Sequence, residues 1–307
     1  MEIVKILLSG AAGLIGRTLL SDFLDRGYQV TVLKRCGTKQ APPGLPAIDW
    51  DPPNTPLQFP FSTEPFDVVV HLAGENISSG RWSSRQKMKI LKSRVEGTRS
   101  LVDGLRSAAK PPSLFLCASA IGYYGNQGDS PLTENAHQGY GFLSEVCSAW
   151  EAEAFRIKQS ETRLLMLRFG VVLSPRGGAL RQMLKAFQRG LGGKLGSGQQ
   201  YLSWIALEEI PWVIDHILTT ERLSGPVNLV SPHPVRNVEL TRVMGRVLHR
   251  PVFVSIPAFL LRLAMGQMAD ELLLASTRVL PEKLLASGYQ FRFADLETTL
   301  HQQIYGD

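Results

Sequence analysis

The stretch Ser9-Gly10-Ala11-Ala12-Gly13-Leu14-Ile15-Gly16 decides the fold. It follows an apolar run, residues 3–8, that predicts a buried strand. It opens a segment, residues 14–26, whose apolar side chains recur at helical spacing. A strand, a glycine turn and a helix are the parts of a phosphate-binding βα unit. The free N–H groups in the first turn of such a helix, together with its dipole, favour an anion there.

Three glycines of this stretch, Gly10, Gly13 and Gly16, are spaced three residues apart. One glycine lets the chain reverse without a side-chain clash, a second lets a pyrophosphate approach the backbone, and a third lets helix and strand pack closely. Three glycines alone are also compatible with a plain tight turn. Their position between an apolar strand and an amphipathic helix favours a nucleotide site.

A second strand is predicted at residues 29–33, and it ends in Lys34-Arg35. Sites specific for NAD usually carry an acidic residue at this point to bind the ribose hydroxyls, whereas a basic residue accommodates a 2′-phosphate. Two adjacent cations and no carboxylate therefore favour NADP(H). Solvated charges at a strand end are the alternative interpretation.

Strands and helices continue to alternate through the first half of the chain. The predicted segments are a strand at 67–74, a helix at 83–109, a strand at 113–119, a helix at 142–157 and a strand at 163–168. Alternation of this kind predicts an α/β fold of the Rossmann type, with a doubly wound parallel sheet. The proline-rich residues 38–65 predict an irregular connection with one short strand at 47–50.

The pattern loosens after Ser174 into a glycine-rich stretch and a mostly helical C-terminal part. A helix at 208–219 and a strand at 227–230 look like a return to the sheet. We therefore expect a nucleotide-binding domain over residues 1–175, with return elements at about 205–230. Residues 176–307 are expected to form a smaller, mostly helical substrate region.

Composition and charge exclude several classes of protein. The 307 residues are 44% hydrophobic and 20% charged, which is ordinary for a globular protein. The formal charge of +6 suits an anionic ligand, but no run of five or more Lys and Arg marks a nucleic-acid surface. We therefore expect a small-molecule substrate and no nucleic-acid partner.

The cysteines and the apolar segments indicate a reduced, soluble protein. Cys36, Cys117 and Cys147 are widely spaced and form no C-x-x-C motif, so neither a disulfide framework nor a metal site is expected. The longest late apolar stretch, residues 252–268, is interrupted by Pro257 and Arg262 and is too short to span a bilayer. The sequence favours a cytoplasmic protein without a membrane partner.

Several motifs together carry a family resemblance. They are Gly10-x-x-Gly13-x-x-Gly16, Asp67-Val-Val-Val-His-Leu-Ala-Gly74, Ser119 with Tyr123-Tyr124-Gly125, and Arg168-x-Gly170-Val171-Val172. With them the chain resembles the extended short-chain dehydrogenase/reductase group, the NAD(P)-dependent epimerase/dehydratase superfamily. Over nearly its whole length it is similar to the atypical YfcH-like branch, through motifs such as Glu75-Asn76, Arg81-Trp82, Ser93-Arg94 and Trp150-Glu151.

The resemblance implies a Rossmann-type domain that binds NADP(H) and a C-terminal region that closes over the substrate. The residues that it assigns to the cofactor are Gly10, Ala12, Gly13, Leu14, Ile15, Gly16, Lys34, Arg35, Leu72, Ala73, Gly74, Lys89, Arg94 and Val172. For Arg94, a solvated cation on the helix surface is the alternative. Dimers are common in this fold, so a homodimer is an expectation by analogy.

The chain departs from the superfamily at the catalytic dyad, a Tyr-x-x-x-Lys pair one helical turn apart. There the tyrosine acts as an acid/base, and the lysine lowers the pKa of the tyrosine and holds the ribose. No tyrosine of this chain is followed by lysine four residues later. Glu151 resembles the glutamate that follows the lysine of the dyad by four residues. Counting back from it places Cys147 in the position of the lysine and Leu143 in that of the tyrosine.

Other positions could take over the acid/base role. Ser119, at the end of its strand, resembles the catalytic serine or threonine of the superfamily and could hydrogen-bond a substrate oxygen. Tyr123 or Tyr124 could supply a phenol, with a buried aromatic role as the alternative. Glu75 could be a base or a helix cap, and His71, inside an apolar run, is expected to be a packed histidine.

Two functions follow from these residues. One is an NADP(H)-dependent oxidoreductase or epimerase that acts on a small hydroxyl- or carbonyl-bearing molecule. The other is a nucleotide-binding regulatory or sensor protein of the same fold without turnover, because fold alone does not establish chemistry.

Overall fold

The computed structural model of the chain describes residues 4–37, 44–52, 57 and 65–306, apart from the side chain of Gln159. Most of the proline-rich connection predicted at 38–65 lies outside these residues. The short strand predicted at 47–50 lies within them and is present as Ala47–Trp50.

The strands of the described chain are numbered in sequence order. They are β1 Lys5–Ser9, β2 Gln29–Arg35, β3 Ala47–Trp50, β4 Val68–His71, β5 Leu114–Ala120, β6 Pro131–Leu132, β7 Arg163–Phe169, β8 Val171–Leu173, β9 Gly193–Leu195, β10 Tyr201–Leu202, β11 Trp204–Ala206, β12 Gly225–Leu229, β13 Val235–Arg236, β14 Val254–Ile256 and β15 Arg278–Val279.

The helices alternate with these strands and dominate the C-terminal part. They are α1 Leu14–Asp25, α2 Ser84–Arg106, α3 Phe142–Phe155, α4 Gly178–Gln188, α5 Glu209–Thr219, α6 Asn237–Val247, α7 Ala258–Met265, α8 Gln267–Ala269, α9 Glu282–Ala286 and α10 Leu296–Tyr305. No helix among the described residues is long and apolar enough to cross a membrane.

Seven strands form one parallel sheet in the order β12-β7-β5-β4-β1-β2-β3. The central strand β1 pairs with β2 on one side and with β4 on the other. Its side chains Ile6, Leu7 and Leu8 are completely buried, as a strand covered by helices on both faces requires. The predicted Rossmann-type α/β fold is therefore confirmed.

The register of the sheet brings the ends of the strands to one edge. Ser9 lies level with Leu33 of β2 and with His71 of β4. Arg35, at the end of β2, lies level with Trp50 of β3. In an open parallel sheet, ligands bind beyond the carboxyl ends of the strands, where the strand order reverses. Here that point lies between β1 and β4.

The described chain divides into two compact units that alternate along the sequence. The first unit comprises Met1–Ser119, Val146–Leu167 and Glu221–Pro226, and the second comprises Ala120–Glu145, Arg168–Thr220 and Val227–Asp307. The boundary near residue 175 stays a prediction of where the substrate region begins.

The second unit has an apolar core of its own. Trp204 of β11, Met244 of α6 and Leu300 of α10 are completely buried in one hydrophobic cluster. Strand β11 pairs with β8, and α10 packs on α6. Full burial of a large side chain contributes about 1.5–3 kcal/mol, so this cluster is a substantial source of stability for the second unit.

His71 is packed inside the first unit, as its apolar surroundings predict. Its Nδ1 lies 2.7 Å from the Ser9 hydroxyl and its Nε2 lies 3.0 Å from the Thr98 hydroxyl. Burial lowers the pKa of His71 to about 3. The ring is therefore neutral in the folded protein at neutral pH and serves as a fixed hydrogen-bonding link between β1, β4 and α2.

This burial predicts a pH dependence of stability. Because the folded-state pKa lies below the ordinary value of 6.5, the unfolded chain takes up the proton first as the pH falls. The stability that neutral His71 provides is therefore present above about pH 6.5 and is lost as the pH falls towards 3. Between pH 7 and pH 5 this group should remove about 2 kcal/mol from the free energy of unfolding.

Urea unfolding of His71→Gln at the two pH values tests this expectation. The variant should lose about 2 kcal/mol less than the wild type between pH 7 and pH 5. The exposed His249→Gln variant is the matched control and should keep the wild-type pH dependence. A pH dependence of His71→Gln equal to that of the wild type would contradict the account.

Candidate functional site

A cavity of about 220 Å³ lies at the carboxyl edge of the sheet in the first unit. It is bounded by the turn after β1, the end of β2 and the segment after β4. The lining residues are Gly10, Ala11, Ala12, Gly13, Val32, Leu33, Lys34, Arg35, Trp50, Leu72, Ala73, Gly74, Glu75 and Ser93. The cavity therefore occupies the point of the sheet where the strand order predicts a ligand.

The glycine turn can adopt its shape only without side chains at two positions. Gly10 has a φ of 74°, and a Cβ there would lie 2.8 Å from the carbonyl carbon of Leu72. A Cβ at Gly16 would lie 2.1 Å from the carbonyl oxygen of Gly10. The first glycine thus lets β1 pass close to the end of β4, and the last lets α1 pack against the turn.

Gly13 is the residue immediately before α1 and has an extended conformation. Its N–H donates to the carbonyl of Gly10 at 2.9 Å, and no side chain caps the helix at this position. The first turn of α1 therefore presents backbone N–H groups beside the cavity. Such an arrangement favours a phosphate or pyrophosphate group.

The opposite wall of the cavity is held in place by Ser9. Its hydroxyl accepts the backbone N–H groups of Leu72, at 3.1 Å, and Ala73, at 3.3 Å. These bonds fix the segment after β4 against the glycine turn. Because Ala73 and Gly74 have small side chains or none, the wall that they form is open to a flat ligand.

Two cations, Lys34 and Arg35, line the cavity at the end of β2. The Lys34 ammonium forms an ion pair with Asp49 of β3, and Arg35 is exposed. An ion pair at the surface contributes little to stability, so Lys34 can exchange Asp49 for a ligand phosphate at small cost.

The structure separates the two cations predicted on α2. Arg94 lies behind the cavity wall, where its Nη1 donates to the carbonyl of Glu75 at 2.9 Å. Lys89 is exposed on the surface of α2 and does not line the cavity. Trp50 and Ser93 line it without having been predicted. The sequence alone favours a core position for Trp50 at the end of a short strand. Its position level with Arg35 follows only from the register between β2 and β3.

Comparison with known families identifies the chain. The sequence profile of the NAD dependent epimerase/dehydratase family matches residues 6–229. The chain belongs to this family. A second profile, a domain of unknown function named DUF1731, matches residues 256–303, which include α7 to α9 and most of α10.

Relatives match over almost the full length of the chain. An epimerase family protein of Mycobacterium tuberculosis is 39% identical over 93% of this chain and 93% of its own length. The crystal structure of human epimerase family protein SDR39U1 with NADPH is 31% identical, covers 98% of this chain and 99% of its own, and superposes with a TM-score of 0.87. A nucleoside-diphosphate sugar epimerase structure from Corynebacterium glutamicum is 30% identical, covers 100% of this chain and 59% of its own, and has a TM-score of 0.80.

In this member of the epimerase/dehydratase family, α3 carries no acid/base dyad. Helix α3 begins at Phe142, so Leu143 lies in its first turn, and the Leu143 N–H donates to the Glu271 carboxylate at 2.8 Å. Cys147, one turn further on, is buried. Leu143 carries no ionisable group and the Cys147 thiol is buried, so the two positions do not form a tyrosine–lysine pair.

Ser119 forms a buried pair with Glu151 of α3 in the first unit. The Ser119 hydroxyl donates to the Glu151 carboxylate at 2.7 Å, and only 3% of Ser119 and 8% of Glu151 are exposed. Glu151 also contributes to raising the pKa of the nearby Cys117 thiol, for which burial is the main cause. The sequence shows that Glu151 lies one helical turn after Cys147 on α3. It did not predict that the Glu151 carboxylate contacts Ser119.

The two tyrosines of the second unit have different environments. The Tyr124 hydroxyl donates to the Asn228 side-chain oxygen at 2.7 Å and accepts from Arg168 Nη1 at 2.9 Å. Burial raises the pKa of Tyr124 to about 12, although the Arg168 charge opposes this effect. The ring of Tyr123 lies 3.6 Å from the Arg168 guanidinium, and its hydroxyl has no hydrogen-bond partner in the described part of the chain. Tyr124 is thus a structural residue, whereas the Tyr123 phenol is available.

Val172, predicted near the nicotinamide, lies in β8 of the second unit. It is half-buried and pairs with Ile205 of β11. Gly170, two residues before Val172, allows the backbone to pack closely against Ser203, since a Cβ there would lie 2.7 Å from the carbonyl oxygen of Ser203.

No cluster of three or more His, Cys, Asp and Glu side chains that could hold a metal ion occurs among the residues that the structure describes.

The contrast between the two tyrosines predicts different effects on stability. Tyr124→Phe removes the hydroxyl that Arg168 and Asn228 share, and both partners stay buried. The free energy of unfolding should fall by about 1–3 kcal/mol. Tyr123→Phe is the matched control and should change it by less than about 0.5 kcal/mol. Urea unfolding of both variants checks this, and equal losses would contradict the different roles.

Proposed function

We propose that the chain binds NADP(H) in the cavity of the first unit and is an oxidoreductase or epimerase for a small hydroxyl- or carbonyl-bearing substrate. One observation carries the proposal: the glycine turn, the Lys34-Arg35 pair and the open wall Leu72–Gly74 line a single cavity. These are the groups that the 2′-phosphate, the pyrophosphate and a ribose of NADP(H) need.

The residues present fit the cofactor. The N–H groups of the first turn of α1 would hold the pyrophosphate, and the Lys34 and Arg35 cations would hold the 2′-phosphate. Gly10, Ala12 and Gly13 form the turn that lines the cavity, and Leu14, Ile15 and Gly16 are the first residues of α1. Val172 is proposed for the nicotinamide side. Lys89 stays the weakest member of the proposed set, since its side chain is exposed on α2.

The preference for the phosphorylated cofactor has two supports. The end of β2 offers two cations in the place where NAD-specific sites have an acid. The human relative SDR39U1, which is similar over nearly the whole chain, was crystallised with NADPH. The carboxylate paired with Lys34 is that of Asp49 in β3, and a ligand phosphate can take its place at small cost.

When bound, NADP(H) supplies or accepts a hydride. The chain must then exchange a proton with the substrate oxygen, and the proposal assigns this task to Ser119 and Tyr123. The Ser119 hydroxyl already donates to Glu151, so it can accept a proton from a substrate hydroxyl while its own moves to the carboxylate. The Tyr123 phenol has no hydrogen-bond partner among the described residues, so it can hydrogen-bond a substrate oxygen, and its ring lies against the Arg168 guanidinium.

A regulatory or sensor protein that binds NADP(H) without turnover is the second candidate. The absence of a tyrosine–lysine dyad on α3 favours it, since Leu143 and Cys147 stand in the two positions. Incubation with NADP⁺ and a panel of nucleotide sugars, simple alcohols and quinols separates the two functions through the absorbance of the reduced nicotinamide. Reduction of NADP⁺ by any of these, or conversion of a nucleotide sugar into its epimer detected by chromatography, supports the enzyme, and tight binding without either result across the panel supports the sensor.

The 2′-phosphate assignment predicts a selective effect of Arg35→Glu. Replacing a cation by a carboxylate at the end of β2 should weaken NADPH binding by about 100-fold or more, because a charge-assisted bond is lost and a repulsion is gained. NADH, which has no 2′-phosphate, should lose less than about threefold. Isothermal titration calorimetry of both nucleotides gives the ratio.

Arg106→Glu is the matched control for this experiment. It makes the same change of charge at an exposed position at the last residue of α2, on the far edge of the sheet. It should leave both affinities unchanged. If Arg35→Glu weakened the binding of NADPH and NADH equally, the assignment of the 2′-phosphate to this end of the cavity would be wrong.

A further inference from the structure

Arg94 is a half-buried cation that forms no ion pair with a carboxylate among the described residues, although the charge of Glu75 acts on it at longer range. Its Nη1 donates to two backbone carbonyls, those of Glu75 at 2.9 Å and Ile90 at 3.2 Å. Within the described part of the chain, no carboxylate forms an ion pair with it, and its Nε and Nη2 groups have no hydrogen-bond partner. A guanidinium carries five N–H donors, and buried charges in proteins are normally paired. An oxygen-bearing ligand is the partner that this environment lacks.

The guanidinium lies directly behind the cavity wall. A Cβ at Gly74 would lie 3.2 Å from its Cζ and 3.3 Å from its Nη2. Gly74, Glu75 and the neighbouring Ser93 all line the cavity. The N–H groups of Arg94 are therefore separated from the cavity only by a residue without a side chain, which lets a ligand oxygen come within hydrogen-bonding reach.

On its other side, Arg94 faces the part of α3 where a lysine is missing. Its Cζ lies 5.0 Å from the centre of the Trp150 ring. Cys147 precedes Trp150 by three residues, so the two side chains share one face of the helix. Burial lowers the pKa of Arg94, and the neighbouring Cys147 and Glu75 side chains oppose this effect. Arg94 thus occupies the space into which a longer side chain at position 147 would extend.

The strand order determines which half of a dinucleotide reaches Arg94. Lys34 and Arg35 lie at the end of β2, on one side of β1, whereas Gly74 follows β4 on the other side. The glycine turn lies between them, after β1. A dinucleotide with its 2′-phosphate at β2 and its pyrophosphate at the turn continues with its second ribose towards β4. Arg94 is therefore on the nicotinamide side.

We propose that Arg94 takes the place of the missing lysine: from α2 it supplies the positive charge and the N–H donors that bind the nicotinamide-side ribose. This inference rests on the proposed cofactor site. It makes Arg94 a binding residue of that site and leaves Cys147 as a packing residue that makes room for the guanidinium.

Two probes distinguish the halves of the cofactor. NADPH contains the nicotinamide ribose, whereas adenosine 2′,5′-bisphosphate ends at the first 5′-phosphate. Arg94→Ala should weaken NADPH binding by about 10- to 100-fold, the range expected for loss of hydrogen bonds from a charged group. Binding of the bisphosphate should stay within about threefold of the wild type. Calorimetric titration measures both, and the bisphosphate also reports that the site is folded.

A second variant tests the exchange of positions directly. In the double variant Arg94→Ala with Cys147→Lys, the ammonium can extend into the space that the guanidinium left. NADPH affinity should recover to within about tenfold of the wild type. Arg94→Ala with Cys147→Met is the matched control, since it fills the space without a charge and should not recover.

Each outcome decides the proposal. The proposal is supported if Arg94→Ala weakens binding of NADPH but not of the bisphosphate, and if Cys147→Lys restores NADPH affinity whereas Cys147→Met does not. Unchanged NADPH affinity of Arg94→Ala, equal weakening of both probes, or no recovery by lysine overturns it. Failure of the wild type to bind either probe would instead overturn the proposed function. If Arg94→Ala does not fold, Arg94→Lys replaces it as the single variant and should show a smaller loss for NADPH alone.

Discussion

The close approach of β1 and β4 at the glycine turn is the constraint on which the cavity depends. Gly10 comes so near to the carbonyl of Leu72 that no side chain fits between them. Ser9, one residue earlier, fixes the same contact through hydrogen bonds to Leu72 and Ala73. The neutral ring of His71 completes this arrangement, since its two nitrogens link Ser9 to Thr98 of α2. The phosphate-binding turn, the ribose wall and the helix that carries Arg94 are thereby positioned by one set of contacts.

Around this constraint, the charged side chains differ from the tyrosine–lysine arrangement that the resemblance implies. Cys147 of α3 stands in the position of the lysine, and Arg94, a neighbouring cation, comes from α2. The Glu151 carboxylate is directed to Ser119. The proposed acid/base chemistry therefore relies on the Ser119–Glu151 pair and the Tyr123 phenol. The sensor function requires only that the cation and the turn hold the nucleotide.

The fold was predictable from sequence because its signals are local. The glycine spacing and the apolar periodicity of residues 3–26 specify a βα unit, and the alternation that follows specifies a parallel sheet. The environments of single side chains were not predictable, since they depend on register and helix packing between distant segments. Trp50 enters the cavity wall because β3 aligns with β2, and Lys89 and Arg94 differ because they point to different sides of α2. Tyr123 and Tyr124 are adjacent in sequence, yet only one hydroxyl is bonded.

Nucleotide retention tests the central claim most directly. The purified protein is equilibrated with equal concentrations of NADPH, NADP⁺, NADH and NAD⁺, desalted rapidly and denatured, and the released nucleotide is identified by mass spectrometry. A site built from the glycine turn and the Lys34-Arg35 pair should release NADPH or NADP⁺ in at least about tenfold excess over NADH and NAD⁺, as one additional charge-assisted contact implies. Retention of NADH or NAD⁺ in equal or larger amount, or of no nucleotide at all, would contradict the account.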